Sequence, residues 1–466
     1  MPIDEIIGEI VGAVVEGAIE VAGEVVASAF TGGGGSGGGT PDTGDGLIIV
    51  GGSYAGAQIA ASARDGGYTG RIRLVSAEAY PPYHRPPLSK AYLLGKAGRE
   101  SLSIRGDAFY AEEKVELLLS TPIVAADRTN RTLTTSGGDV LRWDRLALAT
   151  GARARTLPGA PDKVLTLRDL TDADRLRDVA ASAQRVVVIG GGYIGLEAAA
   201  SLSLLGKHVT VVEMQDRLLA RAATPALAQF VAEAHRAHGV ELLFGARDVG
   251  FDHDRGVLVG VRATDSAGAA HVLPADLAVV GIGVVPNTEL AAMLGLAVDD
   301  GIRVDAYACC IDAASGDAVH EIVAAGDCTR HPSRWNPVQG MELRLESVQN
   351  ATDQAKVAGA TIAEGQAPKP YDAVPWFWSD QFDLKLQMVG LTGVPDVTVS
   401  RGDMASNRFS LFHFRAGVLV GVDSVNKPAD HMLARRLLAA GASVTPEQAA
   451  DAAFDLRSVL PSTPSP

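Results

Sequence analysis

Apolar runs of four or five residues, separated by glycine-rich turns and helix-favouring stretches, organise the chain from residue 47 onward. Leu47–Val50 and the mostly apolar Ile72–Val75 read as one pair of strands, and Arg185–Ile189 and Val209–Val212 as a second pair. Runs of this length and character suit strands buried on both faces of a parallel sheet. Within each pair a glycine turn leads into an alanine- or leucine-rich segment, Ala57–Arg64 in the first and Leu196–Leu205 in the second, which predicts a helix. Phe409–Phe414 and Val422–Asn426 predict strands of a separate C-terminal region. Residues 3–30 follow another rule. They lack proline, and at helical spacing Glu5, Glu9, Glu16, Glu20 and Glu24 fall in one stripe about 100° wide while the remaining circumference is Ile, Val, Ala and Gly. An amphipathic helix is predicted there, followed by a flexible linker in Thr31–Thr40, TGGGGSGGGT.

Composition changes this picture in two places. At 466 residues the chain exceeds what one core usually supports, so two or three domains are expected. The net charge of −14 is uneven: residues 1–46 carry eight acids and no Lys or Arg, leaving 41 basic against 47 acidic residues, or −6, for the rest. Neither part reads as a nucleic-acid binder. Five glutamates in the leader argue against a signal peptide and a membrane span, so no transmembrane segment is expected. Its broad apolar face is expected to dock on copies of itself or on a partner protein. A lipid surface, which an acidic stripe disfavours, and a leader resting on the body or disordered are the other readings. Cys309, Cys310 and Cys328 fit neither a disulfide framework nor a metal site, which suggests a reducing, cytoplasmic setting.

The turns carry the chemistry. Gly51-Gly-Ser-Tyr-Ala-Gly56, between strand and helix, has the context of a dinucleotide-binding fingerprint, with Ser53 where the second glycine normally stands. Glu78, after the second strand, is placed for an adenosine ribose. In the second unit Gly190-Gly-Gly-Tyr-Ile-Gly195 keeps all three glycines, and Glu213 ends the returning strand 23 residues after Gly190. Gly190, Gly192, Tyr193, Ile194 and Gly195 should therefore surround a pyrophosphate at a helix N-terminus. Glu213 would accept both hydroxyls of an unphosphorylated ribose, which favours NADH over NADPH.

With these two units in tandem, the sequence resembles the ferredoxin reductases of bacterial oxygenase systems, within the glutathione-reductase-like flavoproteins. The motifs that carry the resemblance are Arg85-Pro-Pro-Leu-Ser-Lys90, Ala149-Thr-Gly151, Gly190–Gly195, Gly281-Ile-Gly-Val-Val-Pro-Asn287, Ala325-Gly-Asp-Cys328, Arg344-Leu-Glu-Ser-Val-Gln-Asn350 and Pro375-Trp-Phe-Trp-Ser-Asp-Gln381. It implies an α/β fold with two Rossmann-like domains, for FAD and NAD, and an α+β C-terminal domain. The expected organisation is a helix at 1–30, a linker at 31–46, an FAD domain split between 47–156 and 281–372, an NAD domain at 157–280, an interface domain at 373–456 and a disordered tail at 457–466.

The same resemblance assigns FAD to Gly51, Ser53, Gly56, Glu78, Arg85, Lys90, Ala149, Thr150, Gly151, Asp327, Glu346, Ser347, Val348 and Trp378. Arg85 and Lys90 are expected at the flavin side, and Asp327 on the ribityl chain. Glu346–Gln349 should open a helix whose dipole faces the flavin pyrimidine. NAD is assigned to the Gly190–Gly195 turn, Glu213 and Gly283. Lys90, Glu197 and Trp378 are the candidate catalytic groups, Glu197 approaching Lys90 beside the flavin, while Trp376 or Phe377 is expected in the core.

No cysteine lies between Gly51 and Ala308, so the thiol relays of disulfide-reducing relatives are missing. Electrons from NADH should then pass through FAD, one at a time, to an external 2Fe-2S ferredoxin that serves a haem-thiolate or Rieske-type oxygenase. Arg330, Arg334 and Arg344 are candidates for a basic docking patch. A rubredoxin reductase, an NADH oxidase and, from another class, an assembly flavoprotein resembling apoptosis-inducing factor are the alternatives.

Overall fold

The computed structural model describes residues 44–338, 340–363 and 368–461. The leader helix, most of the linker and the association expected of them lie outside these residues.

Leu47–Val50 is fully apolar and becomes a central strand, paired in parallel with Ile72–Val75 on one side and Arg145–Leu148 on the other. The sheet continues to Val115–Leu118 at one edge and through Ala318–Ala324 to Cys309–Ile311 at the other, with only the last strand antiparallel. Its inner face meets two helices, Tyr54–Asp65 and Val348–Ala363, through Ile49, Ile59, Ala63, Ala355 and Ala358. The helices approach closely at Gly359, where an added Cβ would lie 2.6 Å from Ser62 Cβ and 2.9 Å from both Ala63 N and Ile59 O.

The second sheet repeats the design. Arg185–Ile189 pairs in parallel with His208–Val212 and Leu277–Val280, with Glu241–Leu243 and Val164–Leu165 outside them. Each parallel sheet also carries a three-stranded antiparallel insert, Ile123–Arg142 in the first unit and Arg247–Pro274 in the second. The chain passes between the units through Ala152–Ala154 and Val284–Pro286, which pair antiparallel as a two-stranded ribbon.

A five-stranded antiparallel sheet, ordered Trp376–Gln381, Leu384–Gly390, Val418–Val425, Arg408–Arg415 and Val397–Asp403, forms the C-terminal domain. Alternation sends Leu384, Leu386, Phe409, Leu411 and Val425 into the core of the second unit, beside Leu196, Leu202 and Val231. The expected disordered tail needs correction at its start. Leu456–Val459 is a 3-10 turn, with Asp455 accepting from Arg457 N at 3.0 Å and Leu456 buried.

Candidate functional site

Both glycine turns are shaped by backbone contacts that only glycine tolerates. Gly51 has φ +123° and Gly190 φ +107°. A Cβ would strike Ala149 O at 2.0 Å and Gly281 O at 2.4 Å respectively, and a Cβ on Gly56 or Gly195 would strike the carbonyl of its own turn's first glycine. The middle position differs. Gly192 has nothing within 4 Å of its missing Cβ, leaving a clear approach to the turn, and its extended backbone (φ −82°) needs no glycine. Ser53, its counterpart, is likewise extended (φ −141°), and its hydroxyl accepts from Arg85 Nε at 3.3 Å. A serine is therefore accommodated without strain. Neither helix has a side-chain N-cap, so the first-turn N–H groups remain for an anionic ligand.

The acidic residues diverge between the units. Glu213 accepts from Gly191 N at 2.6 Å and Gln215 N at 2.7 Å, which turns its carboxylate along the glycine loop. The counterpart one residue after the first unit's second strand is Ser76, not Glu78, as the contacts of Gly52 with Ser76 and of Gly191 with Glu213 indicate. Glu78 lies two residues further on and is engaged by Arg85 and the Tyr83 hydroxyl.

Arg85 and Lys90, both expected at the flavin side, engage different partners. Arg85 is drawn to the Glu78 carboxylate and Ser53, beside the glycine turn, while Lys90 at the far end of the Pro86–Ser89 turn reaches Glu197. Arg168, unforeseen from sequence, links the groups: Arg85 donates to its carbonyl at 2.9 Å, and its own guanidinium holds Asp327 at 2.7 Å. Thr150 and Asn287 are tied reciprocally, Thr150 Oγ1 donating to Asn287 O at 2.6 Å and Asn287 Nδ2 to Thr150 O at 2.8 Å. This clamp holds Gly151 (φ +62°) and Gly283 (φ +91°) at the crossing between units. Val348 begins the long helix, and the preceding Ser347 caps it, accepting from Asn350 N at 3.0 Å. Glu346 stays outside the helix and pairs with Arg344 at 2.5 Å.

Lys90 Nζ and Glu197 Oε2 are 2.6 Å apart, and Glu197 is only 2% exposed. Ser89 Oγ donates to the same oxygen at 2.5 Å, and Ser379 Oγ from the C-terminal sheet to Oε1 at 2.7 Å. All three domains therefore meet on one carboxylate. Asp380, beside it, has its carboxyl pushed upward by burial, opposed by Lys90. Trp378 is partly buried on the same strand, 5.6 Å from Trp376 between ring centroids. Trp376 is buried under Arg435 and His431, and Phe377 packs on Tyr193 at 4.6 Å, so both aromatics flanking the candidate are packed. Tyr193 is partly buried, with a buried hydroxyl that has no partner among the described residues, whereas Ile194 is 47% exposed.

The three arginines considered for docking are all engaged by acids. Arg330 pairs with Asp299 and Glu342, Arg334 with Asp372, and Arg344 with Asp300 and Glu346, with Arg330 and Arg344 under 20% exposed. They do not form a free cationic patch.

The family described as pyridine nucleotide-disulphide oxidoreductase matches residues 45–355. The chain belongs to it. Residues 376–460 match a second description, the reductase C-terminal domain. Among relatives of this pyridine nucleotide-disulphide oxidoreductase, rhodocoxin reductase of Rhodococcus erythropolis is 44% identical over 88% of this chain and 93% of its own. Putidaredoxin reductase of Pseudomonas putida is 37% identical over 89% and 97%. A crystallised ferredoxin reductase from Rhodopseudomonas palustris superposes with a TM-score of 0.83 at 42% identity, covering 90% of this chain and 100% of that one. The covalent putidaredoxin reductase–putidaredoxin complex superposes at 0.82, with 37% identity and 90% and 98% coverage. FAD and a nicotinamide dinucleotide are the cofactors of this class, and the two glycine cradles, one open at Gly192, suit them. Despite the family's name, no disulfide joins the thiols here: all three are free and buried, and burial pushes Cys309 up to about 12 and also raises Cys310 and Cys328.

Proposed function

We propose that the chain is a cytoplasmic NADH:ferredoxin reductase that delivers single electrons to a 2Fe-2S ferredoxin serving an oxygenase. FAD, when bound, supplies a flavin able to take a hydride from a nicotinamide and return its electrons singly. The observation that carries the reading is the convergence of both nucleotide-binding units and the C-terminal strand on Lys90 and Glu197, in a chain whose three cysteines are all free and buried. Gly51, Ser53 and Gly56, with Arg85, hold the FAD pyrophosphate, and Glu78 serves its adenosine end. Asp327, held by Arg168 at 2.7 Å, would accept from the ribityl hydroxyls of bound FAD. Ala149, Thr150 and Gly151 line the crossing, and Ser347 and Val348 present a helix N-terminus to the pyrimidine, with Glu346 at its threshold. Lys90 keeps a fixed positive charge at the flavin, which Glu197 balances.

On the other unit, Gly190, Gly192, Tyr193, Ile194 and Gly195 receive the dinucleotide, Glu213 its ribose, and Gly283 lies at the nicotinamide end. The carboxylate of Glu213 favours NADH. The nearest downstream cation, Arg217, is occupied by Asp216 at 3.2 Å and Ala220 O at 3.1 Å. Trp378 is assigned to the face from which electrons leave.

Anaerobic stopped-flow mixing with NADH, followed by cytochrome c reduction with and without a 2Fe-2S ferredoxin, tests the proposal. Fast bleaching of the flavin and ferredoxin-dependent cytochrome c reduction are expected. Slow bleaching, or no ferredoxin that accelerates the second step, would sink the reading. Rapid oxygen consumption without a carrier would favour an NADH oxidase, and preferential reduction of rubredoxin a rubredoxin reductase.

A further inference from the structure

Glu197 ends a line of buried polar groups that crosses the C-terminal domain and returns to the second unit. Ser379 Oγ lies 2.7 Å from Glu197 Oε1, Gln381 Nε2 lies 3.0 Å from Ser379 Oγ, and His235 Nε2 lies 2.9 Å from Gln381 Oε1. Ser379 and His235 are 0% exposed and Gln381 1%. We propose that His235, Gln381 and Ser379 are positioning residues, a hydrogen-bonded chain of fixed direction that orients the Glu197 carboxylate and, through it, Lys90.

The direction follows from chemistry. A carboxylate can only accept, so Ser379 donates its one proton to Glu197. The serine oxygen is then free to accept, which places the amide NH2 of Gln381 against it and turns the amide carbonyl to His235. His235 must therefore carry its proton on Nε2. The other ring nitrogen is left as an acceptor, and Nδ1 indeed has no partner among the described residues. Burial holds this imidazole neutral, pushing its pKa down to about 4. Each group thus has one role.

Local structure supplies the spacing. Ser379 and Gln381 are two apart on the Trp376–Gln381 strand, so their side chains share one face, which they present to the helices Tyr193–Leu204 and Pro225–Ala237. Phe377, two residues earlier on that face, packs on Tyr193, and the rings of Phe382 and His238 stack at 3.8 Å, fixing both ends of the strand. The groups facing Glu197 are Ser89 and Lys90 from the Pro86 turn, Ser379 and Asp380 from this strand, and Tyr193 from its own helix. Only Ser379 reaches Oε1 among the described residues. Because both oxygens are held, the carboxylate cannot rotate away from Lys90.

The inference rests on the placement of Lys90 and Glu197 beside the flavin proposed above. Ser379→Ala removes the only donor to Oε1 among the described residues, so the carboxylate is free to turn from Lys90. In the flavin-loaded protein the charge on Lys90 is then less balanced, and the flavin midpoint potential at pH 7 should rise above the wild-type value. Ser379→Thr restores the hydroxyl and should restore the wild-type trace. Gln381→Met leaves Ser379 unanchored and should shift the potential in the same direction by less. Spectroelectrochemical titration at pH 7 reads all four proteins. Wild-type traces from both Ser379→Ala and Gln381→Met, or failure of Ser379→Thr to restore the trace, would overturn the proposal. Should Ser379→Ala fail to fold or hold flavin, the Gln381→Met trace decides alone. A wild type that NADH does not reduce would instead defeat the reductase reading, so the two failures are distinguishable.

Discussion

Replacing Gly359 with alanine sets two effects of opposite sign against each other at one position. Gly359 lies in the interior of Val348–Ala363, where alanine should add about 1 kcal/mol through helix propensity alone. The new methyl, however, would sit 2.6 Å from Ser62 Cβ and 2.9 Å from Ala63 N and Ile59 O. Two of these three neighbours are backbone atoms of the facing helix and cannot rotate away. Relief requires the helices to part by several tenths of an ångström, which loosens the contacts of Ile59, Ala63, Ala355 and Ala358. Overpacking of a well-filled core costs about 1–3 kcal/mol, and the backbone collisions put this site at the upper end. A net loss of about 2 kcal/mol is expected. The displaced helix Tyr54–Asp65 begins at the glycine turn, so faster FAD loss should accompany it. Thermal unfolding and flavin release, followed by fluorescence, measure both. Ser62→Gly in the same chain removes the 2.6 Å contact but not the backbone ones, so it should recover only part of the loss. An unchanged or higher midpoint for Gly359→Ala would refute the argument, since propensity would then outweigh packing.

Glu213→Ala, which strips the carboxylate from the second cradle, should raise the KM for NADH about tenfold or more with kcat little changed, as steady-state kinetics would detect. His235 and His431 are buried and both pushed down to about 4, so between pH 6.5 and 4 the unfolded chain binds protons that the folded chain does not. Stability should therefore fall with pH by about 1.4 kcal/mol per unit for each histidine, and His235→Gln should shrink the difference in thermal midpoint between pH 7 and pH 5. The three thiols should resist iodoacetamide in the native protein and all react in denaturant, with NADH-dependent turnover unchanged by treatment of the native form, as mass spectrometry and an activity assay would show.

How much of this was legible in sequence depended on range. The two glycine turns announced themselves because their backbone geometry forbids any other residue at Gly51, Gly56, Gly190 and Gly195, within a window of a few residues. Burial of both sheet faces made Leu47–Val50 and Arg185–Ile189 readable as strands in the same way. Lys90 and Glu197, 107 positions apart, were joined only through the resemblance, and the structure brings them to 2.6 Å. Ser89 and Ser379, the other donors to Glu197, carry no local signal: serine on a turn or a strand is commonplace, and its meaning arises from a carboxylate 108 or 182 positions away. Arg168 was missed for the same reason. The arginines considered for docking misled because Asp299, Asp300, Glu342 and Asp372 close on them only in three dimensions.

The two-stranded ribbon between the units has a consequence for protein engineering. Ala152–Ala154 and Val284–Pro286 run side by side over three residue pairs, with Asn287 N bonded to Gly151 O at 2.9 Å and Arg155 N to Gly283 O at 3.0 Å. The segment between them therefore leaves and returns through one doorway a strand spacing wide, about 5 Å. It can be treated as a cartridge. A corresponding segment from another reductase, cut at the same two strands and keeping Thr150 and Asn287, would meet its host without new linkers. Such exchanges would carry the nucleotide site as a unit, provided that Arg168 and Glu197, which hold Asp327 and Lys90 on the flavin unit, are kept.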